Sequence, residues 1–354
     1  MTRLRLLSLG ALLLSAAACH QEVDQTPLID RKIYLTDKFY DVKTIGKDKA
    51  IVVGYGGKII VTNDGGRNWE VAKTDTDSAV YNVAMVDEQN GWAVGQAGLV
   101  MKTTDGGKTW TKIDAGTQLS MFAIYAASPQ RLVAVGEKAN ILKTNDGGAT
   151  WETQHFQAKP AATGSNEAMK GLSDTEIIAQ DPALYDVRFV DADNGWVVGE
   201  FGKILHTTDG GKTWSEQQGT LVGEEIVDAL DLPTFYGVDC IDAQQCTAVG
   251  LDGRIASTTD GGKTWKFEQV EGDFKEPLFT VQLFPDGTGW AAGVAGEVMK
   301  RENGEWKQGD LGMRVFSWLR NVGFSDPENG WLVGGFGTIL RTRDGGKTWI
   351  PSAA

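Results

Sequence analysis

The sequence predicts an all-β fold, a seven-bladed β-propeller built from one repeated unit of four short strands. Three observations predict it: the unit recurs seven times, its internal spacing is constant, and turn residues divide each copy into four apolar runs. The glycine that ends the second run falls at Gly54, Gly95, Gly136, Gly199, Gly250, Gly293 and Gly334. Each lies fourteen residues after Tyr40, Tyr81, Phe122, Tyr185, Tyr236, Phe279 and Arg320, respectively. A tryptophan closes each unit at Trp69, Trp110, Trp151, Trp214, Trp265, Trp306 and Trp349, fifteen residues after that glycine, or thirteen in the sixth unit. The sixth unit is therefore degenerate. Packed radially, twisted four-stranded sheets bury both faces against their neighbours and leave only short edges, so a repeat of this length favours closure into a ring. A linear array would need capping units, and none is visible.

The third and fourth runs of a unit are joined by Thr-x-Asp-x-Gly-x-Thr-Trp, an Asp box. It reads Thr62-Asn63-Asp64-Gly65-Gly66-Arg67-Asn68-Trp69 in the first unit and recurs around Asp105, Asp146, Asp209, Asp260 and Asp344. The Asp carboxylate and Thr hydroxyl are suited to accept turn amides, Gly supplies positive φ, and Trp packs on the adjoining blade. Identical residues at every blade point to a task that every blade has, so these carboxylates are assigned a structural role. They are not read as a catalytic or calcium site.

Composition narrows the function. The chain has 354 residues and a formal charge of -13, which argues against sequence-independent binding to nucleic acid or to an anionic membrane surface. Arg3 and Arg5, an apolar run over 6–14 and small residues up to Ala18 read as an export signal over 1–18. Cys19, directly after it, resembles the cysteine of a bacterial lipobox and is the expected lipid attachment site. Ala16 departs from the Leu usual in that motif, and an ordinary signal peptide is the alternative. The mature protein is then expected on the periplasmic or lumenal side of a membrane, tethered through Cys19 and monomeric. Residues 19–39 form a tether, of which 28–38 is a possible outer strand for the last blade. Residues 40–354 form the propeller, with insertions at about 153–183 and 217–234. Cys240 and Cys246 fall on the two strands of one hairpin and are expected to form a disulfide in an oxidising compartment. His20, His155 and His206 show no metal-ligand spacing, and neither a metal nor a cofactor is expected.

In a chain built on a template, function is sought in the departures from it. Eleven of the twelve tryptophans occupy template positions, seven in the box position and Trp92, Trp196, Trp290 and Trp331 in the second run; Trp318 does not. The links between units span twelve residues in the first two cases and fourteen in the last two, against thirty-four for the third and twenty-two for the fourth. The third link, around 159–165, is small and polar, with a possible helical turn near 167–169. The fourth, over 223–228, is acidic with a possible short helix. The sixth link carries Arg314, Phe316 and Trp318 and leads to Arg320, which stands where six other units have Tyr or Phe. Arg and Trp are common interface anchors. Together with Lys275 beside Phe274 from the fifth link and the turn-tip aromatics Tyr55, Phe201 and Phe336, these residues are the candidate partner-binding face.

The repeated Gly-Trp-x-Val-Gly-x-x-Gly-x-Ile and Thr-x-Asp-Gly-Gly-Lys-Thr-Trp units resemble the photosystem II stability and assembly factor family of BNR-repeat propellers, over 40–349. That resemblance implies a seven-bladed, non-catalytic, often lipid-anchored protein that helps a membrane complex assemble, with an integral-membrane protein as partner. The family's photosynthetic members look richer in Arg on one face, and this acidic chain departs from them. Two alternatives come from other classes. One is an accessory protein of an envelope transporter. The other is a sialidase-like glycoside hydrolase or glycan-binding propeller, because such enzymes also carry Asp boxes. That chemistry needs three convergent arginines and a Tyr paired with Glu. Arg188, Arg254 and Arg320 come from three blades, the Arg-Ile-Pro signature is replaced at best by Arg31-Lys32-Ile33, and no Tyr and Glu are assignable from sequence.

Overall fold

The computed structural model describes residues 31–156, 181–222, 231–270 and 274–352. The signal segment, Cys19, His20 and the link segments 159–165, 167–169 and 223–228 lie outside them. The described residues form seven four-stranded antiparallel sheets, each made from four strands consecutive in sequence. Blades 1 to 7 span 39–71, 80–113, 121–155, 184–216, 235–267, 278–308 and 319–351. The second strand of each blade is buried along nearly its whole length, as in Gly91–Gly95, Gly195–Gly199 and Gly330–Gly334. The fourth is short and exposed, as in Glu70–Val71 and Ile350–Pro351. That gradient explains why the glycine-ended second run is the clearest part of the repeat. It is hydrogen-bonded on both edges, as the third strand is, and buried on both faces.

The blades interlock through the boxes. The second glycine of a box lies under the second-strand side chain of the preceding blade. A Cβ on Gly346 would stand 2.1 Å from the Trp290 ring, and one on Gly66 2.7 Å from Trp331. The box tryptophans then meet those rings edge-on, Trp69 on Trp331 and Trp349 on Trp290, each with centroids 5.7 Å apart. Removing roughly 150–250 Å² of ring from water is worth on the order of 4–6 kcal/mol per Trp, as an upper estimate.

Within the box, Thr62 Oγ1 donates to Asp64 Oδ1 (2.9 Å) and accepts from the Gly66 amide (2.8 Å), and Asp64 Oδ1 accepts from the Asn68 amide (3.0 Å). The same pattern recurs at Asp105, Asp146, Asp209, Asp260 and Asp344. Hydrogen bonds from the Thr348 hydroxyl and amide hold Asp344 down to about 2. Both oxygens of each of these carboxylates accept hydrogen bonds from within their own turn. The first box glycine donates to the turn between the first and second strands of its own blade, as Gly65 does to Asp48 O (2.8 Å), so the boxes lie on the face that carries those turns. The sixth blade replaces its box with Asn303-Gly304, both at positive φ (53° and 84°), the two-residue hairpin turn that Asn-Gly favours. This accounts for its interval of thirteen.

Cys240 and Cys246 are directly paired across the first two strands of blade 5 and are joined as a disulfide. No strand forms over the described part of 28–38. The last blade takes its outer strand from Ile350–Pro351 instead. Ile33 is buried with Trp331 and Ile339, and the chain then turns at Asp37, which receives the Tyr34 amide (2.8 Å), to enter blade 1. The ring is therefore closed by side chains and by a backbone bond from the Gly337 amide to Asp37 O (2.9 Å), and not by a shared sheet. Ser352 Oγ accepts from Trp69 Nε1 (2.9 Å) and donates to Gly66 O (2.8 Å). Arg341, buried and stacked on Trp331, donates to Gly65 O, Lys47 O and Asp48.

Replacing Arg341 with Met keeps the stem but leaves two carbonyls at the closure without their donor. We expect Arg341→Met to lower stability by about 2–3 kcal/mol, read as a shift of the urea midpoint at unchanged slope. An equal loss in Arg343→Met, whose exposed side chain also pairs with Asp48, would show that only the surface charge matters.

Candidate partner-binding site

The seven residues that open the repeat form a ring inside one mouth of the channel. Tyr40, Tyr81, Phe122, Tyr185, Tyr236 and Phe279 contact one another in sequence, with neighbouring centroids 5.5, 5.7, 5.3, 5.2 and 5.5 Å apart. Arg320, the seventh, lies over Phe279 at 5.4 Å and donates to Phe279 O (3.1 Å). The gap between Arg320 and Tyr40 is covered by Trp318, stacked on Tyr40 at 5.8 Å and 5°. The constant spacing is legible in sequence; its meaning as a ring is not, because nothing in a strand start shows that seven of them converge.

Deeper in the channel, the first strand of each blade turns its unpaired edge inward. One residue beyond the ring, Asp41 Oδ2 accepts the Val83 amide (2.8 Å) and Asn82 Oδ1 the Ile124 amide (2.9 Å), while Asp186 Oδ2 accepts the Val238 amide (2.9 Å). Two residues further, Asp239 Oδ2 accepts the Leu283 amide (2.8 Å) and Gln282 Oε1 the Phe324 amide (2.7 Å). Each bond runs to the next blade. Burial pushes Asp41 up to about 6 and Asp186 up to about 7, against the opposing pull of those amides. Arg188 pairs with Asp239 (2.8 Å), which raises its pKa. Burial lowers Arg320, opposed by Asp186 and Asp41.

Around this mouth lie the turns that follow the second strand. Their tip residues Ala97, Lys138, Phe201, Asp252, Ala295 and Phe336 take positive φ of 53–57°, where blade 1 has Gly56. Each turn begins with an amide bonded to the carbonyl two residues before the ring, Tyr55 N to Lys38 O and Gly335 N to Trp318 O among them, so links and turns share one face.

At the junction of blades 6, 7 and 1 this face holds a largely apolar groove of about 780 Å³, lined by Leu35, Lys38, Phe279, Phe316, Trp318 and Phe336 among others. Among the described residues, three of the eight exposed large apolar side chains meet here, Leu35 at 80 %, Phe316 at 81 % and Phe336 at 65 % exposure. Of the sequence candidates, the structure thus brings together Phe316, Trp318 and Phe336. Arg314 lines a smaller adjoining pocket that also contains Phe316. Tyr55 stands beside the groove, with Lys38 over its ring at 5.3 Å. Phe201 belongs to the turn of blade 4, and Lys275 lies exposed on the fifth link. Arg320 is a ring member bonded to backbone, so its geometry differs from that of an exposed interface anchor.

The three arginines weighed for carboxylate recognition do not converge. Arg320 sits in the ring, Arg188 lies deeper against Asp239, and Arg254 stacks on Phe267 in the outer part of blade 5. A Tyr–Glu pair does exist, with the Tyr185 hydroxyl donating to Glu200 Oε1 (3.2 Å). Burial, then Glu200, raises the Tyr185 pKa, the opposite of what an activated phenolate nucleophile needs. Among the described residues no His, Cys, Asp and Glu cluster has metal-binding geometry, and no helix is long and apolar enough to cross a membrane.

A family model described as Photosynthesis system II assembly factor YCF48 matches residues 21–121, 171–238 and 298–353. Photosystem II assembly lipoprotein Ycf48 of Picosynechococcus sp. is 27 % identical over 259 residues, covering 49 % of this chain and 76 % of the relative. The solved structure of YCF48 from Cyanidioschyzon merolae superposes with a TM-score of 0.68 at 20 % identity, over 87 % of this chain and 96 % of that one. A structure of YCF48 bound to D1 peptide gives 0.59 at 21 %, over 80 % and 84 %. Fold alone does not separate functions, because a GH74 xyloglucanase from Xanthomonas campestris gives 0.66 at 12 %, over 90 % of this chain and 54 % of that one.

The channel carboxylates give a pH dependence of known sign. Asp41 and Asp186 hold protons to higher pH in the fold than in the unfolded chain, so folding takes up protons between about pH 4 and 7. The corresponding stability is present below the ordinary carboxylate range and is lost as pH rises through about 6 to 7. The box carboxylates act in the opposite sense but only near pH 2 to 4. Thermal unfolding is expected at higher temperature at pH 5 than at pH 8. Asp186→Asn, which keeps an acceptor for Val238, should shrink that difference; an unchanged difference would place the titration elsewhere.

Proposed function

The chain belongs to the photosynthesis system II assembly factor YCF48 family, and on that premise we propose that it is a non-enzymatic assembly factor for a membrane complex. In this reading it is exported, held at the periplasmic or lumenal face by lipid on Cys19, and captures an extramembrane segment of an integral-membrane client. Photosystem II is the complex for which its relatives are named, and it is the first client to test. The observation that carries the site is the placement of exposed Phe316 and Phe336 around Trp318 in one groove. Exposed apolar side chains gathered in a concavity are costly to leave in water and mark interaction sites. Trp318 is held in place by Tyr40, so its ring is preorganised for a partner. The dispersed arginines and the raised Tyr185 pKa weigh against the hydrolase alternative. The relatives' naming as assembly factors weighs against a transporter accessory.

The test is a crosslinked pull-down of the tagged, lipidated protein from its native envelope, with partners identified by mass spectrometry. A stoichiometric integral-membrane protein is expected; recovery of no protein partner would sink the reading. Phe316→Ala with Phe336→Ala should cut capture about tenfold or more and leave the unfolding temperature within about 1–2 °C of wild type, because exposed side chains contribute little to stability. Arg320→Ala is expected to behave differently. It removes the cation facing two buried carboxylates, and should lower the unfolding temperature as well as capture.

A further inference from the structure

The charged groups of the channel are arranged for more than holding blades together. At the level three residues beyond the ring, Arg188 gives its Nε side to Asp239 and stacks near Tyr125 (5.9 Å), while its terminal nitrogens make no hydrogen bond among the described residues. At the same level of blade 1 stands Lys43, whose side chain has neither a hydrogen bond nor an ion pair among the described residues. Its flanking blades offer only Ala84 and Gly323 there. A Cβ at Gly323 would meet Val42 O at 2.8 Å, so no larger side chain can take that place without moving the backbone. After burial, Arg188 is the main influence depressing the Lys43 pKa, and Asp41 and Asp239 oppose it, so the ammonium shares the channel field with the guanidinium and these carboxylates. Asp239 offsets the Arg188 charge on its Nε side, and a small anion between the two cations would take up the donors that Lys43 and the Arg188 terminal nitrogens leave unused among the described residues.

The cavity they face has a volume of about 180 Å³ and is lined by Lys43, Arg188 and Tyr125 together with the carboxylates Asp41, Asp186 and Asp239, among others. At about 30 Å³ per water it has room for about six waters, or one small anion with part of its hydration. We propose that this channel cavity is a binding site for one small oxyanion, a carboxylate or a phosphate, held between Lys43 and Arg188. The neighbouring carboxylates do not forbid it. Asp239 is neutralised by Arg188, and Asp41 and Asp186 direct an oxygen each to the Val83 and Val238 amides. Burial lifts Asp186 to about 7 and Asp41 to about 6, so both lose their charge as pH falls below these values. With Arg320 at the ring these are the charged groups on the seven inner strands, and Tyr125 is the other titratable side chain at the Lys43 level. Affinity should therefore increase as pH falls from about 8 to about 6.

The full-length protein would be titrated with inorganic phosphate and with acetate by calorimetry. In parallel, acetic anhydride labelling of Lys43 would be followed by mass spectrometry, with exposed Lys112 as the reference. Saturating phosphate is expected to slow Lys43 labelling about tenfold or more relative to Lys112, and Lys43→Met should weaken binding about tenfold or more. Binding heat that persists in Lys43→Met with no protection of Lys43 would place the anion elsewhere and overturn the proposal, as would no binding of either anion to the wild type. Wild-type labelling decides the matter even if the variant misfolds. Phosphate that competes with client capture would identify the occupant as a carboxylate carried by the client. Independence would identify a free anion.

Discussion

The first strand of every blade has one edge with no partner strand, and that edge faces the channel. A buried amide left without an acceptor costs about 1–3 kcal/mol, and seven such edges meet around one axis. The fold answers with side chains from the preceding blade, through Asp41, Asn82, Asp186, Asp239 and Gln282. Acceptors chosen for this work are often carboxylates, and buried carboxylates call for cations, which accounts for Arg188 and Arg320 in the same channel. The aromatic ring follows from the same register one residue earlier, where side chains converge without needing polar partners. Channel polarity, raised carboxylate pKa values and interblade coupling are thus consequences of a single backbone requirement.

Outside the channel the constraint is shape. A blade is held to the next by a large second-strand side chain lying over a Gly-Gly turn, an approach that a Cβ at Gly66 or Gly346 would block. The Asp box makes that turn rigid by binding its own amides and hydroxyls, so the flat surface offered to the neighbouring tryptophan is preorganised. This is why the box carboxylates are poor candidates for chemistry: their acceptor capacity is spent within the turn. The sixth blade shows that the box can be replaced, since an Asn-Gly turn still delivers a fully buried Trp306.

The repeat alone makes the fold legible, down to blade number, box residues and the position of the degenerate unit. Counting tryptophans assigns eleven rings to the scaffold and singles out Trp318, whose packing on Tyr40 supplies its explanation. What the sequence withholds depends on convergence across blades. Tyr40 and Phe279 read as strand starts because their neighbours in the ring are tens of residues away. Arg320 reads as an anchor because composition cannot tell a guanidinium over a channel aromatic from one in solvent. Asp41 and Asp186 carry a faint signal, a polar residue following the ring position, which aligning the units on that position exposes. Over the described residues 31–38 the expected outer strand does not form: Ile33 is buried in the hydrophobic cluster around Trp331, and Ile350–Pro351 pairs with the last blade instead.

The groove lies where the ring is closed, and its position follows from how closure is achieved. Elsewhere the chain itself passes from the outer strand of one blade to the first strand of the next. Between blades 7 and 1 there is no such link, and the entering segment around Leu35 and Lys38 stands in for it. Trp318 fills part of the seam from the other side. Other blades carry a side chain at the position after the second-strand glycine, such as Tyr55 or Glu200. Blade 7 has Gly335, where a Cβ would stand 2.9 Å from the Trp318 ring. One substitution in the template therefore admits the ring that stacks on Tyr40, and the space beside it is bordered by Phe316 and Phe336 with no link to cover them. A site at the seam can diverge while six other interblade contacts hold the scaffold, which is the condition under which a repeat protein acquires a specific surface without losing its fold.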